Sequence, residues 1–160
     1  MDEKPTVYVE TSIVSYLVAR PSQDSIVGFR QAVTERWWKA CRPNYRLVIS
    51  PQVVDEASLG DANEAGKRLA VLGDLDILEI DDAVLELSRV ILAETSMPAS
   101  AEPDALHIAT AVVNGVEYLL TWNHKHMANV QIRAKVEQIC QREGFQRITI
   151  CTPEELDPEE

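Results

Sequence analysis

The chain has 160 residues, the length of a single domain, and it is long enough to bury a sizeable core. Hydrophobic residues make up 46% and charged residues 26%, which is ordinary for a soluble globular protein, and no apolar run approaches the roughly 18 residues of a membrane span. The formal net charge of −11 argues against a broad nucleic-acid-binding surface.

The first predicted strand, Thr6–Val9, ends at the polar run 10–12. A hydroxyl of Thr11 or Ser12 can cap a helix that continues toward Arg20, and the simplest role for Glu10 alone is an acid in the first turn of that helix. A longer helical pattern then runs from residue 25 to residue 41, and its spacing predicts one buried stripe formed by Ile26, Phe29, Val33 and Trp37.

A second predicted strand, Leu47–Ser50, precedes a helix that carries Glu56. A further helix is predicted over residues 62–72. The alternating run Asp76–Ile80 indicates a third strand, and Asp82–Glu94 an amphipathic helix.

Residues 102–123 form the most distinctive stretch of the sequence. Pro103 suits the first turn of a helix, and Asp104 lies where the backbone N–H groups are still unpaired, so the helix dipole keeps its carboxylate ionised. After the helix stop at Gly115, the nearly all-apolar run Tyr118–Thr121 indicates a strand buried on both faces, and it leads to Asn123.

The remaining pattern is a helix, Gln131–Arg142, and a fifth short strand, Arg147–Cys151. Strands that alternate with helices predict an α/β fold with a mostly parallel five-stranded sheet covered on both faces. We expect one domain over residues 1–152 and a frayed acidic tail over residues 153–160.

Neither a targeting sequence nor a disulfide framework is evident. The start, Met1-Asp2-Glu3-Lys4, is no signal peptide, and the three cysteines are far apart and odd in number. We therefore expect a cytoplasmic protein with reduced, packed thiols.

Acidic and amide side chains come together at one edge of the predicted sheet. Glu10 follows the first strand, Asp104 precedes the fourth, Asn123 follows it, and Glu56 can point to the same edge. Several carboxylates in one pocket repel one another unless a cation compensates, and Mg²⁺ or Mn²⁺ prefers such oxygen ligands. A magnesium ion held in this way is suited to phosphodiester chemistry. The spacing alone leaves a metal-dependent hydrolase and a non-catalytic α/β domain both open.

Four segments carry a more specific signal. They are Val-Tyr-Val-Glu-Thr-Ser from residue 7, Ser-Pro-Gln-Val-Val-Asp-Glu-Ala from residue 50, Asp-Ala-Leu-His-Ile-Ala-Thr-Ala from residue 104 and Leu-Leu-Thr-Trp-Asn-His-Lys-His from residue 119. In order and spacing they resemble the motifs of the PIN-domain ribonucleases, and most of all the VapC-type toxins of prokaryotic toxin–antitoxin pairs. Any one of these segments alone would not be specific.

The resemblance implies a three-layer α/β/α sandwich with an acidic pocket that binds Mg²⁺ or Mn²⁺. The positions that match the family's metal-binding and catalytic residues are Glu10, Glu56, Asp104 and Asn123. The positions that match hydroxyls holding waters or outer contacts of the metal are Thr11, Ser12 and Thr121. Glu10 stands where most members have Asp, and Asn123 replaces the commoner Asp and removes a charge. We therefore expect one metal, or a second bound only with the substrate.

The function that the resemblance implies is a metal-dependent endoribonuclease that acts as the toxin of a toxin–antitoxin pair, as a homodimer with a cognate antitoxin. RNA would be held by a local basic face, with Arg20, Arg30 and Lys39 as candidates, because residues 1–46 hold seven Lys/Arg against five Asp/Glu. A merely solvated helix face is an equal alternative for these cations. Two rival functions are a catalytically weakened RNA- or protein-binding module and a magnesium phosphohydrolase acting on small phosphate esters.

The histidines near the motifs receive structural interpretations. His107 lies one turn after Asp104 and is predicted to be packed or hydrogen-bonded rather than a general base. His124 and His126 are predicted to be turn or capping residues rather than ligands, and capping the next turn is also an alternative for Asn123.

Overall fold

Five short strands form one parallel sheet in this computed structural model, which describes residues 3–157. The strands are β1 (Thr6–Val9), β2 (Arg46–Ile49), β3 (Asp76–Ile77), β4 (Tyr118–Leu120) and β5 (Thr149–Cys151). Their spatial order is β3-β2-β1-β4-β5, and every neighbouring pair is parallel. The predicted α/β fold with a five-stranded parallel sheet is confirmed.

Residues 3–157 contain seven α-helices, and none of them is long and apolar enough to cross a membrane. They are α1 (Thr11–Val18), α2 (Ser25–Arg36), α3 (Pro51–Ala57), α4 (Ala62–Leu72), α5 (Asp82–Glu94), α6 (Glu102–Val113) and α7 (Val130–Glu143). Helix α1 packs against α2, α3 and α4, whereas α5 packs against α6 and α7. The helices cover the sheet in the expected three-layer α/β/α arrangement, which leaves residues 7–9 of β1 fully buried.

The helix starts follow the local chemistry of the sequence, except at α1. Ser50 caps α3 by accepting from the Val53 N–H, and α6 has Pro103 in its first turn. Glu10 is the N-cap residue of α1, and no side chain caps that helix. The prediction that Thr11 or Ser12 caps α1 was wrong, because both hydroxyls donate to carboxylates instead.

Two elements end three or more residues before their predicted boundary, and the other differences are one or two residues. The predicted helix over residues 25–41 is α-helical only to Arg36, and it continues as a π-helical turn over Trp37–Cys41 and a 3₁₀ turn over Arg42–Asn44. Strand β3 stops at Ile77 rather than Ile80, because only two residues of this edge strand pair with β2.

The end of the chain packs on the domain as far as it is described. Pro153 is buried, Leu156 packs against the core, and Asp157 forms an ion pair with Arg36 at 3.1 Å. The expectation of a frayed tail was therefore wrong for residues 153–157, because apolar contacts and an ion pair hold them. The last part of the predicted tail, residues 158–160, lies outside the described residues.

Candidate active site

The site lies at the carboxyl ends of the three central strands. Glu10 directly follows β1, Ser50 directly follows β2, and Thr121 directly follows β4. Because β1 pairs in parallel with both neighbours, these ends meet at one edge of the sheet. Helices α3 and α6 bring Glu56 and Asp104 to this region, and the Gln52 side-chain amide donates both to Glu56 Oε2 (3.2 Å) and to the Pro103 carbonyl oxygen (2.8 Å).

Glu10 is a buried carboxylate with one oxygen fixed by hydroxyl groups. Its Oε1 accepts hydrogen bonds from Ser12 Oγ at 2.5 Å and from Thr121 Oγ1 at 2.6 Å. Its Oε2 lies 4.0 Å from His107 Nε2, and no residue within 3–157 donates a hydrogen bond to it. The side chain as a whole is only 9% exposed, but Oε2 reaches solvent, so a water molecule or an ion can bind to it.

Glu56 is held by three donors. Thr11 Oγ1 donates to its Oε1 at 2.6 Å, His107 Nε2 lies 2.8 Å from the same oxygen, and Gln52 donates to Oε2. Burial alone would raise the pKa of Glu56, but the hydrogen bond from His107 and its electrostatic attraction, with the bonds from Thr11 and Gln52, outweigh burial and hold the pKa below its usual value. Glu56 is therefore ionised at neutral pH.

His107 connects the acidic edge to the interior of the sheet. It is 1% exposed, and its Nδ1 lies 2.7 Å from the hydroxyl of Tyr8, which in turn lies 2.7 Å from Ser50 Oγ. Burial raises the pKa of Tyr8 far above its usual value, so the phenol stays protonated. The prediction of a packed, hydrogen-bonded histidine is confirmed.

His126 joins two of the predicted site residues. Its Nδ1 lies 2.8 Å from Asp104 Oδ2, and its backbone N–H donates to Asn123 Oδ1 at 2.9 Å. Asn123 thus caps the following turn, the alternative that the sequence left open. The sequence did not indicate His126 as a partner of Asp104. The turn-forming spacing from Asn123 was the available signal, but nothing local points to residue 104.

One group of side chains within residues 3–157 is compact enough to hold a metal ion. Glu10, Glu56 and His107 each place a ligand atom within 4.8 Å of the other two. Asp104 is not part of this group among the described residues and is paired with His126 instead. The structure therefore brings Glu10 and Glu56 together directly, and Asp104 and Asn123 form a second, His126-centred pair.

The comparison with protein families decides the classification of this chain. The family model described as the PIN domain matches residues 7–131, well over half of the sequence. The chain belongs to the PIN-domain family. The matched range spans all four motif segments, and this part of the resemblance is confirmed. A comparison with curated proteins finds no match.

Solved structures share the architecture of this PIN domain at low sequence identity. A toxin–antitoxin complex from Klebsiella pneumoniae matches with a TM-score of 0.60 at 19% identity, covering 92% of this chain and 97% of that one. VapBC2 from Rickettsia felis, bound to a DNA fragment from its promoter, has a TM-score of 0.57 at 13% identity, with 92% and 98% covered. VapC20 from Mycobacterium tuberculosis, a sarcin–ricin loop cleaving toxin, has a TM-score of 0.58 at 15% identity, with 89% and 98% covered. At these identities the likeness shows a shared fold.

The carboxylate oxygens at the candidate site of this PIN domain suit a hard divalent cation. Among residues 3–157, no Lys or Arg forms an ion pair with Glu10, Glu56 or Asp104, and the side-chain nitrogens beside these carboxylates include those of His107 and His126. Converging carboxylates without a Lys or Arg partner need another positive charge, and their oxygen atoms are the ligands that Mg²⁺ and Mn²⁺ prefer. The residues present therefore fit such an ion.

The predicted RNA-binding cations lie in different settings. Arg30 sits 5.6 Å from the centre of the Trp122 ring, next to Asn123, and its Nη1 donates to the Tyr16 hydroxyl at 3.4 Å. Lys39 forms an exposed ion pair with Glu35 at 2.8 Å. Arg20 lines a cavity of about 820 Å³ between α1 and α4 that also contains acidic side chains. Of the three, only Arg30 contacts a residue next to the candidate site.

Proposed function

We propose that this PIN domain is a Mg²⁺- or Mn²⁺-dependent endoribonuclease and the toxin of a toxin–antitoxin pair. The observation that carries the proposal is the pair of carboxylates, Glu10 and Glu56, held by hydrogen bonds at the carboxyl ends of parallel strands without a Lys or Arg partner within residues 3–157. Membership of the PIN-domain family supports it. The similar folds include toxin–antitoxin complexes and an RNA-cleaving toxin.

The residues that would hold the ion are Glu10 and Glu56, with Asp104 and Asn123 completing the set. A divalent ion held there would supply an activated water for attack on an RNA phosphodiester and a positive charge to stabilise the transition state. Glu10 presents its unbonded Oε2, because Oε1 is already held by Ser12 and Thr121. Asn123 supplies a neutral oxygen in place of a carboxylate, so a single ion is expected.

Other residues of the chain would position the RNA. Arg30 is held next to Trp122 by a cation–π contact and by Tyr16, so its charge is fixed near the carboxyl edge of the sheet. Arg20 and Lys39 are proposed as more distant phosphate contacts. Localised cations of this kind would compensate for an overall charge of −11.

The proposed partners are a cognate antitoxin and a second copy of the chain, with the protein acting in the cytoplasm. Helix α2 exposes two large apolar side chains, Ile26 at 62% and Phe29 at 52%, although the sequence pattern placed both on a buried stripe. Exposed apolar residues on one helix supply the kind of surface that a protein partner covers.

The test of the proposed activity is cleavage of a panel of tRNA and rRNA substrates by the purified protein. We expect cleavage in Mg²⁺ or Mn²⁺, none in EDTA, and at least about 100-fold slower cleavage by Asp104→Asn. Equal rates for the two proteins, or cleavage in EDTA, would remove the site as assigned. Hydrolysis of a nucleotide monophosphate without RNA cleavage would favour the phosphohydrolase alternative.

A catalytically weakened binding module is the second candidate, and Asn123 favours it. The side-chain oxygen of Asn123 accepts a hydrogen bond from a backbone N–H of the next turn, and this residue lacks the charge that the resemblance to the family leads one to expect there. A binding module of this kind would retain RNA or a partner protein in Mg²⁺ without cleaving it. Filter binding and cleavage measured on the same RNA separate the two functions.

A further inference from the structure

We propose that His107 is a positioning residue rather than a metal ligand, and that a buried network of Ser50, Tyr8 and His107 holds Glu56 in place for the ion. The inference rests on the proposed metal-dependent function and adds residues to its machinery. His107 belongs to the compact group with Glu10 and Glu56. Its distance from the two carboxylates alone would therefore make it a candidate for a third metal ligand.

The hydrogen bonds around His107 oppose the ligand role. Its Nε2 lies 2.8 Å from Glu56 Oε1 but 4.0 Å from Glu10 Oε2, and its Nδ1 is occupied by the Tyr8 hydroxyl at 2.7 Å. A carboxylate only accepts hydrogen bonds, so Nε2 must carry the proton that Glu56 receives. A protonated ring nitrogen has no lone pair to offer an ion.

The Tyr8 hydroxyl determines which ring nitrogen carries the proton. Tyr8 has one proton and two partners, Ser50 Oγ and His107 Nδ1, both at 2.7 Å. When Ser50 donates to Tyr8 and Tyr8 donates to Nδ1, a neutral imidazole keeps its proton on Nε2 and every bond in the series is satisfied. The opposite direction places a proton on Nδ1 and leaves Nε2 of a neutral ring facing the Glu56 carboxylate without a hydrogen.

The network is built into the core, which makes it a fixed support. Tyr8 and Ser50 have no exposed surface, and His107 is 1% exposed. Tyr8 lies on the central strand β1, Ser50 directly follows the neighbouring strand β2, and His107 lies on α6, so three parts of the fold fix the position of one imidazole. Residues that orient a metal ligand in this way affect metal affinity without touching the ion.

Two measurements on the full chain test the inference, and neither needs activity. Long-range ¹H–¹⁵N NMR spectra of the metal-free protein should show a proton on His107 Nε2, and this proton should be retained when Mg²⁺ is added. In Tyr8→Phe the same spectrum should show this preference reduced. Mn²⁺ titration calorimetry should show an affinity at least about 10-fold weaker for Tyr8→Phe than for the wild type.

The controls separate positioning from a general loss of structure. Tyr118→Phe removes the same atom from the adjacent strand β4, where the hydroxyl forms no hydrogen bond within the described part of the chain, and it should leave Mn²⁺ affinity unchanged. Ser50→Ala removes only the far end of the network and should weaken binding less than Tyr8→Phe. His107→Gln places an amide N–H where Nε2 lies and should bind Mn²⁺ more tightly than His107→Leu.

Loss of the Nε2 proton when Mg²⁺ binds would overturn the inference, because His107 would then be a ligand. Equal Mn²⁺ affinity of the wild type and the folded Tyr8→Phe protein would overturn it as well. Weakened Mn²⁺ binding by Tyr8→Phe in a protein that cleaves no RNA would support the inference and refute the proposed function. A wild-type protein that binds neither Mg²⁺ nor Mn²⁺ would overturn both.

Discussion

Glu10 and Glu56 show how this chain keeps two acids close together without a basic partner. Ser12 and Thr121 hold one oxygen of Glu10, whereas Glu56 is held at both oxygens by Thr11, His107 and Gln52. The bonds to Glu56 stabilise its ionised form. They do not remove the repulsion between two negative charges in a partly dry site. A divalent ion would remove it, so ion binding and folding should be coupled.

This coupling gives a prediction for Glu10→Gln. In EDTA the variant should unfold at a temperature equal to or above that of the wild type, because one of the repelling charges is gone. Addition of Mg²⁺ should raise the unfolding temperature of the wild type by several degrees and that of the variant by much less. Differential scanning calorimetry measures both values, and an equal Mg²⁺ effect on the two proteins would show that Glu10 does not contact the ion.

The ionisation of Glu56 predicts a pH dependence. Because its pKa is lower in the folded protein than in the unfolded chain, ionised Glu56 stabilises the fold above its unfolded pKa of about 4.3, and this stabilisation is lost as the pH falls through the folded pKa. In EDTA, the free energy of unfolding of the wild type should therefore exceed that of Glu56→Gln at pH 6. The difference should shrink below pH 4. Urea titrations across this range would disprove the account if the difference stayed constant.

The site residues themselves could be predicted from the sequence, but most of their contacts could not. The types and positions of Glu10, Glu56 and Asp104 were available from the motif spacing. Their long-range hydrogen-bond partners were not, because the bonds from Glu56 to His107 and from Asp104 to His126 join residues that are 51 and 22 positions apart. Local pattern contains no information about such pairs.

At the scale of the helix, the start of α1 shows site chemistry replacing an ordinary cap. Thr11 and Ser12 are good capping residues, yet their hydroxyls donate to Glu56 and Glu10, and α1 has no side-chain cap. Helix α2 has a conventional cap in Asp24, which accepts from the N–H groups of residues 26 and 27.

Replacing the polar side chain at each of these two helix starts by alanine should have different effects. Asp24→Ala should lower the free energy of unfolding by about 1 kcal/mol and leave Mn²⁺ affinity unchanged, because only a cap is lost. Thr11→Ala should weaken Mn²⁺ binding by about 10-fold, because Glu56 loses one of the donors that fix it. Urea unfolding and calorimetric titration of both variants check this. A similar loss of Mn²⁺ affinity in both would show that Thr11 has no particular connection to the ion.

The order of helices and strands was predictable because the hydrophobic periodicity changes with each element. The π-helical turn at Trp37–Cys41 was not, since an apolar pattern does not distinguish it from a continuing α-helix. Periodicity identified Ile26 and Phe29 as one face of α2 but carried no information on whether that face is covered, and the structure leaves both exposed.

For the whole molecule, burial of the thiols follows from the closed three-layer fold. Cys41, Cys140 and Cys151 are all buried, and none forms a disulfide within residues 3–157. Burial raises the pKa of Cys140, and it raises that of Cys151 to about 12, so both stay protonated at neutral pH.

The folded protein should therefore be nearly inert to the thiol reagent DTNB at pH 8, whereas guanidinium-unfolded protein should react at all three cysteines. The rate in the folded state should follow the population of opened molecules. Absorbance at the reagent's product band measures both stoichiometries. Rapid reaction of a cysteine without unfolding would contradict the described packing.

The central claim for the whole molecule is that distant segments hold one divalent ion. Calorimetric titration of Mn²⁺ into metal-free wild type, Asp104→Asn and the control Glu102→Gln tests it most directly, because Glu102 is an exposed acid in the same helical turn as Asp104. We predict one site in the wild type and in Glu102→Gln, with affinity at least about 10-fold weaker in Asp104→Asn. Unchanged affinity in Asp104→Asn, or an equal loss in Glu102→Gln, would contradict the account.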